Sequence, residues 1–397
     1  GWRPATRIDL FVADPPCFPA GTMVTTNAGR VPIETVVAGD IVLTHTGRWR
    51  RVREAFSKPF DGRLLELIPS YRPGPVRCTP DHPILVRRRL VTGRPWTASW
   101  WHYDAPIWVA ASDIRIGDAI LMPRVCDAAV PPSLIVNTRR WTRVKGGGKH
   151  EVRSIPCRVN VADERVAWLL GLYLAEGHRR GREPMITRGG LTRREVIFSI
   201  ARKEVCGRFA LYVINSPDWW MVCAEFGDGA HAKHVPEWAL GMPRAWQRAL
   251  LAGYVFGDGH SGLNNGSGTL IEISTVSEDL AHGIARLVMQ AEGVAPSLRR
   301  AREAREYMIE GRRVQGRVAW RVRWGPDLTH RRSGQVDDRG AWLPIKAIRV
   351  GDPCREVFNL SVEEDESYVA DGIAAHNCTP WSRAGKRRGQ SDERDML

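Results

Sequence analysis

The stretch VFNLSVEEDESYVADGIAAHNC (357–378) ends with histidine, asparagine and cysteine in direct succession. Its apolar residues form two short runs, each typical of a strand, on either side of an acidic segment. The asparagine, Asn377, can cyclise onto its own main-chain carbonyl and so break the chain behind it. The thiol of Cys378 is a nucleophile that can accept an acyl group. The sequence therefore places a potential self-cleavage point directly before a nucleophile, with His376 beside both.

A second cysteine, Cys17, lies near the other end of the chain, in DPPCFPAGT (14–22). Its thiol can attack the preceding carbonyl and move the chain from nitrogen to sulfur, which gives a thioester. That shift is uphill unless the peptide bond is strained and an acid protonates its nitrogen. The segment RCTPDHPI (77–84) supplies Thr79 and His82 three residues apart. This spacing lets a hydroxyl and an imidazole flank one amide.

Together these residues predict a complete splicing sequence. After Cys17 forms the thioester, Cys378 takes the acyl group by thiol exchange. Asn377 then cyclises and releases the downstream segment, while His376 polarises the carbonyl or protonates the leaving amine. A final sulfur-to-nitrogen shift joins the flanks. Taken singly, a buried cysteine or a turn asparagine is the commoner explanation, but the combination favours splicing.

The composition is that of a globular protein with two or three domains, because 43% of the 397 residues are hydrophobic. The longest apolar run, VAWLLGLYLA (166–175), falls short of the roughly 20 residues that cross a bilayer, so we expect no membrane segment and a cytoplasmic location. Eight cysteines without a C-x-x-C pair argue against a disulfide framework or structural zinc. The net charge of +14 indicates a polyanionic partner, most simply nucleic acid.

The texture of the sequence changes along the chain. From Cys17 to about residue 122, short apolar runs between Gly, Pro and Asp predict many strands, and VPIETVVAGDIVLT (31–44) is echoed by WVAASDIRIGDAILMP (108–123). Strand patterns return at 347–375. Between them, helical periods alternate with strands, which indicates an inserted domain. The segment 131–160 is rich in arginine and lysine around GGG, and we interpret it as a flexible basic linker.

The blocks CFPAGTMVTT, VRCTPDHPILV and VFNLSVEEDESYVADGIAAHNC resemble the splicing blocks of inteins, and the resemblance spans residues 17–377. It implies an all-β horseshoe of the Hint type in which the two splice junctions meet. Many members carry aspartate where this chain has Asn359, and asparagine cannot ionise. Pro16 restricts the backbone at the first scissile bond, so we expect slow thioester formation.

Two segments of the inserted region share one design. LLGLYLAEGH (169–178) and LLAGYVFGDGH (250–260) each predict an apolar helix with small residues that ends in an acid, Glu176 or Asp258, followed by glycine. Small residues on the facing sides let two such helices pack closely and bring the two carboxylates together. Paired acids suit Mg²⁺, which can activate water for phosphodiester cleavage. The alternative is a pair of core helices with capped ends.

These two helices resemble the paired motifs of LAGLIDADG homing endonucleases. The resemblance implies an α+β domain of two pseudo-symmetric αββαββα halves whose sheets form a saddle on double-stranded DNA, with one metal-binding acid per half. EVIFSI (195–200), WWMVCAEF (219–226), TLIEISTVS (269–277) and VAWRVRWG (318–325) are the predicted saddle strands. The last carries Arg321 and Arg323, which we expect to contact DNA. A lysine is expected as a third catalytic group, but the sequence does not indicate which lysine it is.

Joining residues 1–16 to 378–397 gives IDLFVADPPCTPWSRAGKRRG, an apolar strand followed by a thiol in a proline-bounded loop. This resembles the catalytic loop of DNA cytosine-C5 methyltransferases, in which the cysteine attacks a flipped-out cytosine. The resemblance gives Cys378 a second role after splicing, as the methylation nucleophile. S-adenosylmethionine would serve only the complete spliced enzyme, because the cofactor motif lies outside this chain.

The predicted organisation has six parts: flank 1–16, splicing domain 17–130, linker 131–160, endonuclease 161–335, splicing domain 336–377 and flank 378–397. The predicted function is self-excision with ligation of the flanks, plus site-specific cleavage of double-stranded DNA. We expect the chain to be a monomer that needs Mg²⁺ for DNA cleavage and no cofactor for splicing. Two alternatives remain: a Hint-type domain that only cleaves itself, and an inactive nuclease that only binds DNA.

Overall fold

The computed structural model describes residues 16–91, 101–126, 133–143, 150–180, 195–201, 209–263, 269–304, 306–309, 312–325 and 335–377. Within these ranges the chain is mostly β-structure with five α-helices. No helix among the described residues is long and apolar enough to cross a membrane. The predictions for residues 1–15 and for 378–397, which include Cys378, fall outside this part of the chain.

Thirteen strands from both ends of the chain form one large sheet. They are β1 (Phe18–Pro19), β2 (Met23–Thr26), β3 (Gly29–Pro32), β4 (Ile41–Leu43), β5 (Trp49–Pro69), β6 (Val76–Cys78), β7 (Pro83–Val91), β8 (Trp101–Ala110), β9 (Ala119–Pro123), β21 (Gln335–Val336), β22 (Gly340–Val362), β23 (Ser367–Ala370) and β24 (Ile373–His376). The main strand order is β1-β22-β9-β7-β24-β23-β2-β4-β5-β6. This is the all-β architecture that the alternating sequence pattern predicts.

The two longest strands give the sheet its curvature. β5 and β22 pair antiparallel along most of their length, and the ladder contains four register shifts. Each irregularity of this kind bends and twists a strand. Because the sheet curls, apolar side chains of distant strands, including Phe18, Val52, Ile84, Leu360 and Tyr368, share one buried core.

The internal echo in the sequence corresponds to a repeated local structure. Each copy is a 3-10 turn, Ile33–Thr35 or Ala111–Asp113, followed by a tight turn and a strand, β4 or β9. In each turn an aspartate, Asp40 or Asp118, accepts a hydrogen bond of 2.9 Å from the backbone N–H three residues earlier. The preceding glycine has a positive φ in both copies, +103° and +97°.

The segment predicted as a flexible basic linker, 131–160, contains two paired strands instead. β10 (Ser133–Arg143) and β11 (His150–Asn160) form an antiparallel ribbon in continuous register. Val136 is buried among the residues of the inserted domain, and the Cys157 Sγ lies 3.2 Å from the Asp218 carboxylate. Glycines and charges favour a linker in this segment, but the β-branched residues on both sides of the glycines favour strands, and strands form.

The inserted domain has two halves with one main sheet each, and the second half contains a further two-stranded sheet. The first half contains α1 (Glu164–Glu176), β12 (Gly177–Arg180), β13 (Glu195–Ala201), β14 (Phe209–Asn215), α2 (Pro217–Ala224) and α3 (Glu237–Leu240). The second contains α4 (Arg244–Asp258), β15 (Gly259–Leu263), β16 (Thr269–Thr275), α5 (Glu278–Glu292), β17 (Ser297–Arg302), β18 (Glu306–Ile309), β19 (Arg312–Gln315) and β20 (Ala319–Trp324). Their sheets have the orders β12-β13-β14 and β15-β16-β20-β17.

Three of the four predicted saddle strands form: β13, β16 and β20 coincide with the predicted segments. The fourth prediction, a strand at 219–226, is wrong, because the helix α2 covers most of it. The Ser216 side chain accepts a hydrogen bond from the Trp219 N–H, and Pro217 occupies the first turn. An N-cap followed by proline is a strong helix-start signal, and here it overrides the β-propensity of the tryptophans and valine.

The inserted domain packs against the large sheet. The Leu298 N–H donates to the Tyr71 carbonyl at 2.9 Å, and the Val125 N–H donates to the Gln290 side chain at 2.6 Å. Where the chain leaves and re-enters the large sheet, β9 and β22 are neighbours, with Pro123 paired to Gly340. The insertion therefore leaves the ladder of the large sheet uninterrupted.

Candidate functional site

Cys17 lies directly before β1, fully buried, and Thr79 holds its backbone on both sides. The Cys17 N–H donates to the Thr79 Oγ1 at 2.9 Å, and the Thr79 N–H donates to the Cys17 carbonyl at 2.9 Å. The nitrogen of the Pro16–Cys17 peptide bond is therefore fixed by the hydroxyl that the T-x-x-H spacing predicted. Thr79 is itself buried, at 1% exposure.

The carbonyl of Pro16 accepts a hydrogen bond from the Asn359 Nδ2. Asn359 is fully buried, and its Oδ1 accepts from the Tyr368 hydroxyl at 2.8 Å and from the Leu360 N–H at 2.7 Å. These two acceptor bonds fix which end of the amide points at Pro16. A neutral donor thus faces the oxygen that would carry negative charge when a thiol adds to this carbonyl.

His82 is fully buried and packs against Phe18, with ring centroids 4.2 Å apart. Burial and, to a smaller extent, the neighbouring His376 lower the pKa of His82, a contact with the Pro16 carbonyl raises it, and the net pKa is about 3. Neither ring nitrogen has a hydrogen bond of ordinary geometry among the described residues, so the contact with Pro16 is a loose one. His82 is therefore a neutral imidazole, available to the junction.

The other junction is formed at the end of β24. The His376 Nδ1 lies 2.7 Å from the carbonyl oxygen of Asn377, the carbonyl that cyclisation attacks. The Asn377 Nδ2 donates to the Val362 carbonyl at 3.2 Å, and its N–H donates to the Glu366 carbonyl at 2.9 Å. Asn377 is thus held in a buried place with its side chain and its own carbonyl both fixed.

The sheet brings both junctions together. Ala375 of β24 pairs with Ile84 of β7, two residues beyond His82. The field of His376 reaches His82, and the Phe18 and Tyr368 rings are 6.0 Å apart. Of the predicted splicing residues, Cys17, Thr79, His82, His376 and Asn377 therefore gather at one place. Cys378 follows directly after them but lies outside the described residues.

A second candidate site lies where α1 and α4 end side by side, at Glu176 and Asp258. The helices touch through glycine: a Cβ on Gly171 would collide with the Leu250 carbonyl, and one on Gly253 with the Trp168 carbonyl. No larger residue permits this backbone approach. The small-residue pattern of both segments therefore has the structural purpose that the sequence predicted.

The two acids line a cleft of about 1020 Å³ together with Lys233 and Arg321. Burial and the neighbouring charge of Glu176 raise the pKa of Asp258, Lys233 lowers it, and the net pKa is about 6. Two carboxylates that repel each other in this way are stabilised when a cation binds between them.

The residues present fit a hard divalent cation such as Mg²⁺. Glu176 and Asp258 supply two oxygen ligands, and Mg²⁺ often binds through one or two carboxylates while phosphate and water complete its shell. Within the described ranges no group of three or more His, Cys, Asp or Glu side chains could hold a metal ion. The acid pair would therefore share a cation with phosphate and water.

Lys233 is the residue that the sequence interpretation missed. Its ammonium donates to the carbonyls of Tyr173 and Leu174 at the end of α1, at 2.8 and 2.9 Å. Burial lowers the pKa of Lys233 to about 8, although Asp258 and Glu176 act in the opposite direction. A signal existed: the chain has only seven lysines among its 58 Lys and Arg residues, and this one lies in GAHAKHVPEWAL (229–240), between the two glycine-containing helical segments.

The predicted DNA contacts lie on the sheet of the second half. Arg321 and Arg323 project from β20 on the face opposite to the buried Trp320 and Val322. Their Nε atoms both lie 3.0 Å from the Glu272 carboxylate on the neighbouring strand β16. Two arginines thus share one carboxylate on a partly exposed surface that borders the acid pair.

Two family models match the chain in agreement with this geometry. A model described as "Hint domain" matches residues 16–94, and one described as "LAGLIDADG-like domain" matches residues 245–322. The chain thus combines a mostly β Hint-type domain with a LAGLIDADG-like domain. The first match begins at the Pro16–Cys17 junction, and the second includes the end of α4 with Asp258.

Among curated proteins, the chain is similar to the iron-sulfur cluster assembly SufBD family proteins of Mycobacterium tuberculosis and Mycobacterium bovis. Each is 26% identical over 393 residues, covering 91% of this chain and 43% of the relative. It is also similar to the ATP-dependent DNA helicase Hel308 of Thermococcus kodakarensis, at 24% identity over 418 residues, covering 93% of this chain and 37% of the relative. The chain thus spans less than half the length of these relatives.

Among solved structures, the chain matches a crystal structure of a G-1F mutant of the Ssp DnaB mini-intein variant M86. The match covers 92% of this chain and 99% of that chain, with 8% identity and a TM-score of 0.30. A likeness at this level adds nothing to the assignment of the fold, which rests on the two family models and on the strand order.

Proposed function

We propose that the chain is an intein that excises residues 17–377 and joins its flanks, and that its inserted domain cuts double-stranded DNA at a specific site. The observation that carries the splicing proposal is the gathering of both junctions at one end of the sheet, with Asn359 on the Pro16 carbonyl and His376 on the Asn377 carbonyl. The relatives support it, because proteins with unrelated printed names share one stretch that is less than half of each.

The first step forms a thioester at the upstream junction. The Cys17 sulfur adds to the Pro16 carbonyl carbon, and the Asn359 amide donates to the developing oxyanion. The carbon–nitrogen bond breaks, and the Cys17 nitrogen gains the proton that the thiol has lost. His82 is neutral, so its ring has one lone pair and one N–H with which to relay that proton.

The later steps free the downstream junction. The Cys378 thiol attacks the thioester and displaces the Cys17 thiol, which leaves a branched chain. The Asn377 Nδ2 then attacks its own carbonyl carbon, the bond to Cys378 breaks, and a succinimide and a free amine form. A proton on the His376 Nδ1 stabilises the oxyanion of this step. The amine of Cys378 finally takes the acyl group from its own sulfur.

Mass spectrometry of the full chain after expression tests this proposal. Splicing yields two products, the excised 361 residues and a ligated 36-residue flank peptide. Free flanks without ligation would favour the alternative, a Hint-type domain that only cleaves itself. Asn377→Ala should stop downstream release while the thioester still reacts with added thiol, and Cys17→Ala should stop the upstream step alone. An intact chain that no thiol cleaves would contradict the proposal.

For the inserted domain, the acid pair beside Lys233 supports metal-dependent phosphodiester cleavage. Mg²⁺ would activate water and stabilise the leaving oxygen. Glu176 and Asp258 would hold it, Lys233 would offset the charge of the scissile phosphate, and Arg321 would grip the backbone nearby. The expected partner is double-stranded DNA that encodes the joined flanks without the insertion.

A cleavage assay distinguishes this activity from mere DNA binding. The full chain with Mg²⁺ should make a double-strand cut in a plasmid that carries the joined flank sequence. Glu176→Gln and Asp258→Asn should abolish the cut but keep DNA binding, and Glu292→Gln at the far end of α5 is a matched control. Binding without any cut by the parent chain would favour the inactive-nuclease alternative.

The host of the element is proposed from the flanks. Residues 1–16 and 378–397 join into the Pro-Cys loop of a DNA cytosine-C5 methyltransferase, in which Cys378 serves as the nucleophile after splicing. The complete host would use S-adenosylmethionine. Trapping of the reconstituted full-length host on DNA that contains 5-fluorocytosine tests this assignment, and its loss in a Cys378→Ala host is the expected result.

A further inference from the structure

His45, in the turn after β4, reaches the downstream junction although it is more than 300 residues away in sequence. Its Nδ1 lies 2.7 Å from the Ser367 Oγ, and its backbone N–H donates to the same oxygen at 3.2 Å. Ser367 is fully buried and lies directly opposite His376 in the pairing of β23 with β24. His45 is thus attached to the strand position that faces the junction histidine.

One aromatic ring contacts both histidines. The Trp108 ring meets the His45 ring edge-on at 5.3 Å and the His376 ring at 5.0 Å, with interplanar angles of 77° and 87°. Edge-to-face contacts of this kind favour particular ring orientations. The His376 ring therefore packs against Trp108, which also contacts His45.

The surroundings of His45 favour the neutral form of its ring by holding its pKa below the usual value. Burial lowers the pKa of His45, and Arg339, His376 and Arg48 lower it further, while Asp365 raises it. Asp365 is occupied by its own bonds, including those from the hydroxyls of Thr44 and Thr46 at 2.6 and 2.7 Å. With the backbone N–H of His45 directed at the Ser367 oxygen, the hydroxyl proton is free to donate to Nδ1, which leaves the ring proton on Nε2.

We propose that His45 is a positioning residue for the cyclisation of Asn377: through Ser367 and Trp108 it holds the His376 imidazole against the Asn377 carbonyl. This rests on the proposed splicing function. The His376 ring carries the only described side-chain contact to that carbonyl, at 2.7 Å. If its ring turned away, the oxyanion of the cyclisation step would lose its donor, whereas Cys17, Thr79 and Asn359 would keep their contacts at the upstream junction.

The test separates the two junctions in the full chain. Downstream cleavage is followed by mass spectrometry of the Cys17→Ala variant, and upstream thioester formation by thiol-induced cleavage of the Asn377→Ala variant. In these backgrounds, His45→Ala should slow downstream cleavage about tenfold or more. This is less than the roughly 10²- to 10⁴-fold that a group transferring the proton itself contributes, because His45 acts through His376. Thiol-induced upstream cleavage should stay within about twofold of the background. His102→Ala, an exposed histidine of the same sheet, is the matched control.

Rescue distinguishes positioning from a loss of fold. His45→Asn keeps an amide at the Nδ1 position that can bond Ser367, so it should recover most of the downstream rate, and Ser367→Ala combined with His45→Ala should be no slower than His45→Ala alone. Equal slowing of both junctions, an unchanged downstream rate, or no recovery by asparagine would each overturn the inference. If the Cys17→Ala and Asn377→Ala variants that keep His45 react at neither junction, the proposed splicing function fails. That result differs from a failure of the His45 inference, in which both of these variants still react.

Discussion

Replacing Asn359 by aspartate should convert a permanent hydrogen-bond donor into one that depends on pH. The asparagine amide donates to the Pro16 carbonyl at any pH. An ionised carboxylate cannot donate, and it would place negative charge against an oxygen that becomes negative during thioester formation. The Tyr368 hydroxyl and the Leu360 N–H can still donate to the aspartate, so we expect the fold to persist.

The magnitude follows from the position. Loss of one oxyanion donor costs about 10²- to 10³-fold in rate. The site is fully buried, so burial and the facing carbonyl should raise the pKa of the new carboxyl above its usual range. Below that pKa the protonated acid can donate again. The rate of Asn359→Asp relative to the parent should therefore be lowest at high pH and should recover as the pH falls through the raised pKa.

Thiol-induced cleavage at the Pro16–Cys17 bond, measured in a Cys378→Ala background from pH 5 to 9, is the assay. Taking the ratio of variant to parent at each pH removes the titration of the thiols. Asn27→Asp, at an exposed turn of the same sheet, should give a ratio near one throughout. A ratio for Asn359→Asp that stays near one at high pH, or that is low but independent of pH, would refute the donor role.

Three further predictions concern the inserted domain. Gly253→Ala should separate α4 from α1, destabilise the domain by about 1–3 kcal/mol and reduce DNA cleavage about a hundredfold. Gly262→Ala, whose Cβ would meet its nearest atom at 3.9 Å, should have neither effect. Thermal unfolding and plasmid cutting measure the two effects, and equal results for both variants would contradict the packing argument. Lys233→Met should abolish cutting without slowing splicing, since it removes the cation from the α1 carbonyls and the acid pair; retained cutting would exclude a catalytic role. Glu272→Gln should release Arg321 and its neighbour for phosphate, so that DNA binding tightens and the plot of log affinity against log salt steepens by about one unit in fluorescence anisotropy; an unchanged slope would show that these arginines do not touch the backbone.

The sequence predicted those parts of the fold and site that depend on local pattern. The Thr79 and His82 spacing fixes a hydroxyl and a ring on one turn, and the small residues of the two helices predict close packing that ends at Glu176 and Asp258. In such cases a short segment carries its own geometry, so neighbouring residues suffice to infer it.

The rest depends on contacts between distant parts of the chain. From the sequence, Asn359 indicates only that an ionisable group is missing at this position. The sequence does not show that its amide faces the carbonyl of Pro16, 343 residues away. Lys233 becomes a site residue only when α1 ends beside it. The charges and glycines of 131–160 predict a linker, whereas the ribbon of β10 and β11 depends on a pairing that neither segment shows by itself. Propensity also misled at α2, where the cap at Ser216 outweighs the side chains that follow.

The neighbouring ends of β9 and β22 bear on how such a chimera can arise. The Arg124 N–H donates to the Arg339 carbonyl at 2.9 Å, so the two ends of the inserted segment are adjacent. A segment can therefore be inserted at this point without any change in the strand order of the large sheet. The entropy of closing that loop grows only slowly with its length. A gene can thus gain or lose the nuclease domain as one unit. Once the domain is present, the splicing domain depends on it at Gln290, which accepts the Val125 N–H; without the insertion this N–H would face solvent.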